Sequence, residues 1–174
     1  SPSYHGYDVT DYQAVNPDYG TLQDFQELVQ ESHRQGIRLI LDFVPNHWSS
    51  LHPTFQDAIC NPASKYRDWY LFRNYPDEYE TFFGVKDLPQ LNLRNPETRQ
   101  HICDAAGYWL DLGVDGFRLD YAIGPSHDFW AEFRRETRKV NPECWTFGEV
   151  VDPPDVQVSF EGLLDGCLDF MLLE

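Results

Sequence analysis

The chain has 174 residues, 29 of them acidic and 13 basic, for a formal charge of −16 at pH 7. That length can bury a core and suits one domain. The charge argues against a nucleic-acid partner, which needs a basic face, and no apolar run is long enough to enter a membrane as a spanning helix.

Residues 1–20 are rich in Tyr, Asp, Pro and Gly and read as a structured loop. Thr21 and Asp24 form a capping-box pair that opens a helix. Leu22, Phe25, Leu28 and Val29 make its apolar stripe, and Gly36 its stop. Ile37 to Val44 is a nearly continuous apolar run, the pattern of a parallel strand buried on both faces. Residues 48–94 hold many aromatics and no sustained period, which predicts a small functional subdomain inserted after that strand.

Asn95-Pro96 caps a second helix with Pro in its first turn. Its inward face is Ile102, Ala105, Ala106, Trp109 and Leu110, and Gly113 ends it. Val114 to Asp120 is the next strand, Ser126 to Val140 a third helix with Phe129, Trp130 and Phe133 inward, and Trp145 to Val150 a further strand. Gly166 to Leu172 has the pattern of one more. Alternating helices and strands predict an α/β fold with parallel strands. Four strands cannot close a barrel of eight, so both sheet edges are expected to be open.

Cys60, Cys103, Cys144 and Cys167 make no C-x-x-C pair, which speaks against a metal cluster. Cys103, Cys144 and Cys167 read as small buried hydrophobes. The chain starts at Ser1 without a secretory leader and reads as a piece of something longer.

Two carboxyl groups carry the chemistry. Asp120 ends one strand and Glu149 ends the next, one strand-and-helix repeat later. In a barrel of alternating strands and helices, groups at the C-terminal strand ends form the active site. Two carboxyls there can flank a glycosidic bond, one as nucleophile and one as acid/base. Arg118, two residues before Asp120, shares its face of the strand and is expected to hold its pKa low.

Several motifs resemble the alpha-amylase family of glycoside hydrolases, in that family's order over essentially the whole chain. They are Tyr4-His5-Gly6-Tyr7, Asp42-Phe43-Val44-Pro45-Asn46-His47, Leu88-Pro89-Gln90-Leu91-Asn92, Gly116-Phe117-Arg118-Leu119-Asp120 and Phe147-Gly148-Glu149. The resemblance implies a partial TIM (β/α)8 barrel, about strands 3 to 6, with residues 1–174 forming a fragment of the catalytic barrel and residues 48–94 its insertion. It implies Asp120 as nucleophile and Glu149 as general acid/base. Asp42 would orient neighbouring groups, His5 and His47 would bind hydroxyls of the sugar being cleaved, and Tyr7 would lie beneath that sugar. Asn46 resembles a calcium-ligand Asn, although calcium needs about six or more oxygens; the chemistry itself needs no cofactor. The implied substrate is an α-glucan or maltooligosaccharide linked α-1,4, with α-1,6 links as a further target.

Residues 61–66, 88–92 and 121–130 are most similar to the neopullulanase and cyclomaltodextrinase branch. A dimer is compatible with that branch, though no residue here shows one. Ile123 and Gly124 stand where many relatives carry a Lys-His pair. The family's third carboxylate, an Asp after an Asn-His pair on the seventh strand, has no counterpart, so the chain by itself is expected to be inactive. Two other readings stand beside the glycosidase. A glycan-binding homologue would need no catalytic pair. A metal-dependent hydrolase built on Asp42, His47, Asp120 and Glu149 would want more His or Cys ligands.

Overall fold

The computed structural model describes residues 1–170. The chain forms two compact units: Ser1–Tyr12 with Val44–Ile102, and Gln13–Phe43 with Cys103–Glu174.

The second unit holds the parallel sheet. Helix α1 (Leu22–Arg34) has the predicted capping box between Thr21 and Asp24, and Gly36 follows its end at φ +74°. Its stripe is less buried than predicted. Val29 is buried and Phe25 packs edge-on against Trp109 at 4.9 Å, but Leu22 and Leu28 are exposed.

Strand β1 is Ile40–Phe43, shorter than the apolar run, and only Phe43 is fully buried. Two causes account for this. Asp115 takes over the backbone before the strand, its carboxylate accepting from the Leu39 N–H at 2.7 Å. Among the described strands, β1 pairs on one side only.

Chain order continues through α2 (Pro53–Cys60), β2 (Phe72–Asn74), β3 (Glu78–Tyr79) and α3 (Pro96–Asp111), which begins in the first unit. Then follow β4 (Gly116–Leu119), α4 (His127–Val140), β5 (Trp145–Gly148), α5 (Pro154–Val158) and β6 (Gly166–Cys167). Residues 171 and 172 of the last predicted strand lie outside the described residues. The sheet order is β1-β4-β5-β6, all parallel.

The apolar faces predicted for α3 and α4 are buried throughout. Phe133 of α4 packs against Phe43 of β1 and Phe117 of β4, with ring centroids 5.9 and 6.1 Å apart. Cys103 and Cys144 are buried as expected, whereas Cys167 is half-buried. Gly116 is a point of close approach: a Cβ there would sit 1.9 Å from the Trp145 carbonyl oxygen on β5.

In the first unit, residues 48–94 are more regular than their sequence suggested. They contain α2, the β2–β3 antiparallel pair and two short 3-10 turns. His52 caps α2 and Pro53 occupies its first turn. Aromatic packing replaces periodicity as the organising force. Trp48 and Trp69 lie parallel at 6.2 Å, and Phe55 meets Tyr70 at 4.8 Å and Tyr79 at 4.9 Å.

Gly116→Ala is expected to destabilise the protein by about 3 kcal/mol or more, since the added methyl must part β4 from β5. Thr21→Ala, which removes only a helix cap, should cost about 1 kcal/mol. Urea midpoints at unchanged m check both, and equal losses would sink the close-approach argument.

Candidate active site

Parallel pairing in register places the charged residues. Asp42 of β1 is the register partner of Arg118 on β4, and Arg118 is the partner of Phe147 on β5. Alternation along each strand then puts Asp120 and Glu149 on the same face as Arg118, just beyond the strand ends. The ladder continues through them: the Asp120 N–H donates to the Phe43 carbonyl and the Glu149 N–H to the Leu119 carbonyl, both at 2.9 Å.

One guanidinium joins all three carboxylates. Arg118 Nη1 lies 2.8 Å from Asp42 Oδ1 and 2.9 Å from Asp120 Oδ1, and Nη2 lies 2.7 Å from Glu149 Oε1. The Arg118 side chain is 16% exposed, Asp120 9%, Glu149 25% and Asp42 46%. Asp120 is thus the carboxylate with least access to water. Burial opposes the Arg118 charge, but the bond to Asp42 and the charges of Asp42 and Glu149 outweigh it and raise its pKa.

Asp120 departs from the sequence expectation. Burial pushes its pKa up to about 6; the Arg118 bond and charge pull down, while Glu149 and Asp42 push up again. Desolvation therefore outweighs the neighbouring cation. A raised carboxyl pKa favours the folded state at low pH, and that benefit fades as pH rises through about 6. The site is held together against the preference of its most buried carboxylate.

Glu149 has a further partner that no sequence feature announced. The Tyr121 N–H donates to its Oε2 at 3.1 Å, and Tyr121 has a left-handed φ of +44°. Left-handed backbone is normally signalled by Gly or Asn, so a tyrosine at that position conceals it.

The remaining predicted residues belong to the first unit. Gly6, at φ +86°, turns the chain so that the His5 and Tyr7 rings stack at 6.0 Å and 19°, and the Tyr7 N–H donates to His5 Nδ1. His47 is fully buried and stacks on Phe82 at 4.3 Å. Phe82 is a second residue that sequence reasoning missed, hidden in an aromatic-rich segment. Burial first, and then the charge of His5, push the His47 pKa down to about 4. The Asn46 amide nitrogen lies 3.3 Å from His47 Nδ1, which makes Nδ1 the acceptor and leaves the proton on Nε2. Among the described residues that Nε2 has no hydrogen-bond partner.

Asn46 itself is buried. Its single amide oxygen falls far short of the six to eight that calcium takes. Among the described residues no group of three or more His, Cys, Asp or Glu could hold a metal ion. No helix among them is long and apolar enough to cross a membrane.

The profile of the family described as "Alpha amylase, catalytic domain" matches residues 1–162. The chain is 45% identical over 175 residues to Alpha-amylase 2 of Dictyoglomus thermophilum, covering 100% of this chain and 31% of that protein. It is 40% identical over 158 residues to Neopullulanase 2 of Thermoactinomyces vulgaris, covering 86% of this chain and 27% of that protein. That relative falls in the branch that residues 61–66, 88–92 and 121–130 resemble. The crystal structure of alpha-amylase from H. orenii matches with a TM-score of 0.90 at 38% identity, over 99% of this chain and 41% of that one. The four parallel strands are accordingly part of a (β/α)8 barrel, and the chain spans less than a third of the length of these two curated relatives.

Removing the Arg118 charge leaves three carboxylates facing one another. Arg118→Leu should destabilise the protein by about 3 kcal/mol at pH 7. Without the cation, protonation relieves the repulsion, so the deficit should shrink at pH 5. Urea unfolding at the two pH values reads this, and a deficit independent of pH would show that Arg118 acts by packing alone.

Proposed function

Because this chain belongs to the alpha-amylase family, we propose that the protein carrying it cleaves α-glucosidic bonds in starch-like glucans or maltooligosaccharides with retention of configuration. The observation that carries this reading is the pair Asp120 and Glu149 at adjacent parallel strand ends, bridged by one guanidinium. In this proposal residues 1–174 are a section of the catalytic barrel and residues 48–94 a subdomain inserted into it.

The residues divide the work as follows. The Asp120 carboxylate attacks the anomeric carbon as the glycosidic C–O bond breaks, and Glu149 gives its proton to the departing oxygen. Glu149 then takes a proton from water, whose oxygen attacks the same carbon and releases Asp120. Asp42 shares Arg118 with both and fixes the guanidinium plane. The His47 Nε2–H is a buried, neutral donor for a sugar hydroxyl. In this proposal His5 and Tyr7 supply a polar edge and a ring face to a sugar. No cofactor enters these steps.

Incubation of the full-length protein with starch, pullulan and cyclodextrin, with reducing ends counted and the first-formed anomer read by NMR, tests the assignment. The α-anomer is expected first; a β-anomer would overturn the retaining mechanism. Asp120→Asn and Glu149→Gln should each lower kcat by about 10⁴-fold or more.

The pH profile tests the nucleophile separately. Asp120 must be ionised to attack, and its pKa lies at about 6. On its acid side kcat/KM should therefore fall with decreasing pH through about 6. An acidic limb near 4, the value of an ordinary carboxyl, would contradict the burial argument.

A further inference from the structure

We propose that Tyr121 is a positioning residue for Glu149, acting through its backbone N–H and not through its ring. The inference rests on the reading of Glu149 as the general acid/base.

Glu149 is gripped at four points by β4 and the turn that follows it. Its N–H donates to the Leu119 carbonyl at 2.9 Å, and its carbonyl accepts from the Ala122 N–H at 3.0 Å. Its Oε1 meets Arg118 Nη2 at 2.7 Å, and its Oε2 accepts from the Tyr121 N–H at 3.1 Å. The charged groups around Glu149 are Arg118 and Asp120, with Asp42 beyond the guanidinium. Tyr121 adds a donor without adding a charge.

The left-handed turn makes this grip. In a regular strand, successive N–H groups point in opposite directions. At φ +44° the chain leaves the strand at Tyr121, and two successive N–H groups, those of Tyr121 and Ala122, reach the same residue. The two donors meet different oxygens of that residue: the Tyr121 N–H meets the side-chain Oε2 and the Ala122 N–H the backbone carbonyl. The turn is itself pinned: the buried Trp130 of α4 donates its indole N–H to the Ala122 carbonyl at 2.9 Å, and the Gly124 N–H closes onto the Tyr121 carbonyl at 3.0 Å. A bulky residue held in left-handed backbone is a mark of functional strain.

With one oxygen on Arg118 and the other on Tyr121, the plane of the Glu149 carboxyl is fixed. A general acid needs that, because it must present its proton along one direction to the departing oxygen. The positioning matters only when the leaving group needs a proton. Fluoride leaves with its electron pair and needs none.

The test is the full-length protein acting on maltotetraose and on α-maltosyl fluoride, with kcat/KM on each expressed as a ratio. Tyr121→Gly and Tyr121→Asn accept left-handed backbone and should keep the wild-type ratio, as should Tyr121→Phe. Tyr121→Val, whose branched Cβ resists that conformation, should lower the ratio about 100-fold, the scale of a lost general acid.

A ratio that collapses in Gly and Asn but not in Phe would overturn the proposal in favour of the ring. Equal losses on both substrates in Val would make the effect merely structural. If Val does not fold, Tyr121→Thr, which has a branched Cβ as well, is read in its place, and a wild-type ratio there would overturn the proposal. A wild-type protein that cleaves neither substrate would instead overturn the proposed function on which this rests.

Discussion

Three carboxylates cannot face one another in a partly buried site without a cation between them, and Arg118 is that cation. Its planar fork reaches Asp42 and Asp120 from one nitrogen and Glu149 from another. A lysine would bring the same charge but not the geometry, because its ammonium cannot fix two planes at once. The guanidinium does not abolish the burial of Asp120. It limits how far that burial raises the carboxyl, which settles at about 6 and is still mostly ionised at neutral pH. The position of that balance separates a carboxylate from a neutral acid at pH 7.

The sheet supplies the positions that the guanidinium connects. In a parallel ladder a one-residue slip would turn every side chain to the other face. Asp42, Arg118, Asp120 and Glu149 meet because β1, β4 and β5 run without a stagger between them. Gly116 lies at the start of that alignment, where the β5 carbonyl leaves no space for a side chain. At the other end Gly148 does the same for Glu149. A Cβ there would lie 2.8 Å from that of Ala122, the residue whose N–H holds the Glu149 carbonyl. Small residues at both ends of the paired segments therefore set how closely the acidic groups approach.

Elements with one dominant local signal were legible in the sequence. The capping box of α1, the apolar faces of α3 and α4, and the strands leading to Asp120 and Glu149 all follow from short-range patterns. Elements set by distant partners were not. The run from Ile37 shortens to Ile40–Phe43 because a side chain far along the chain, Asp115, takes the Leu39 N–H. Leu28 looks inward by periodicity, yet periodicity does not say whether anything covers it. Residues 48–94 show no period because stacked aromatics hold them, and ring stacking leaves no repeat in the sequence. Within the site, side-chain identities were readable but their energetics were not. That Arg118 neighbours Asp120 follows from alternation; that burial outweighs it does not. The Tyr121 donor was invisible because a backbone N–H belongs to every residue but proline.

The two units carry different kinds of polar group, and the difference has a consequence for acidity. In the second unit the site is charged, and Asp120 changes charge near pH 6. In the first unit His47 is buried against Phe82 and stays neutral until about pH 4. An ordinary histidine would gain a proton at about 6.5, close to the range where Asp120 loses its own. The burial of His47 moves that event well below the titration of Asp120. Between pH 4 and 7 His47 therefore remains a neutral Nε2–H donor while Asp120 changes from acid to carboxylate. The desolvation of His47 costs stability, as a buried N–H without a partner among the described residues does.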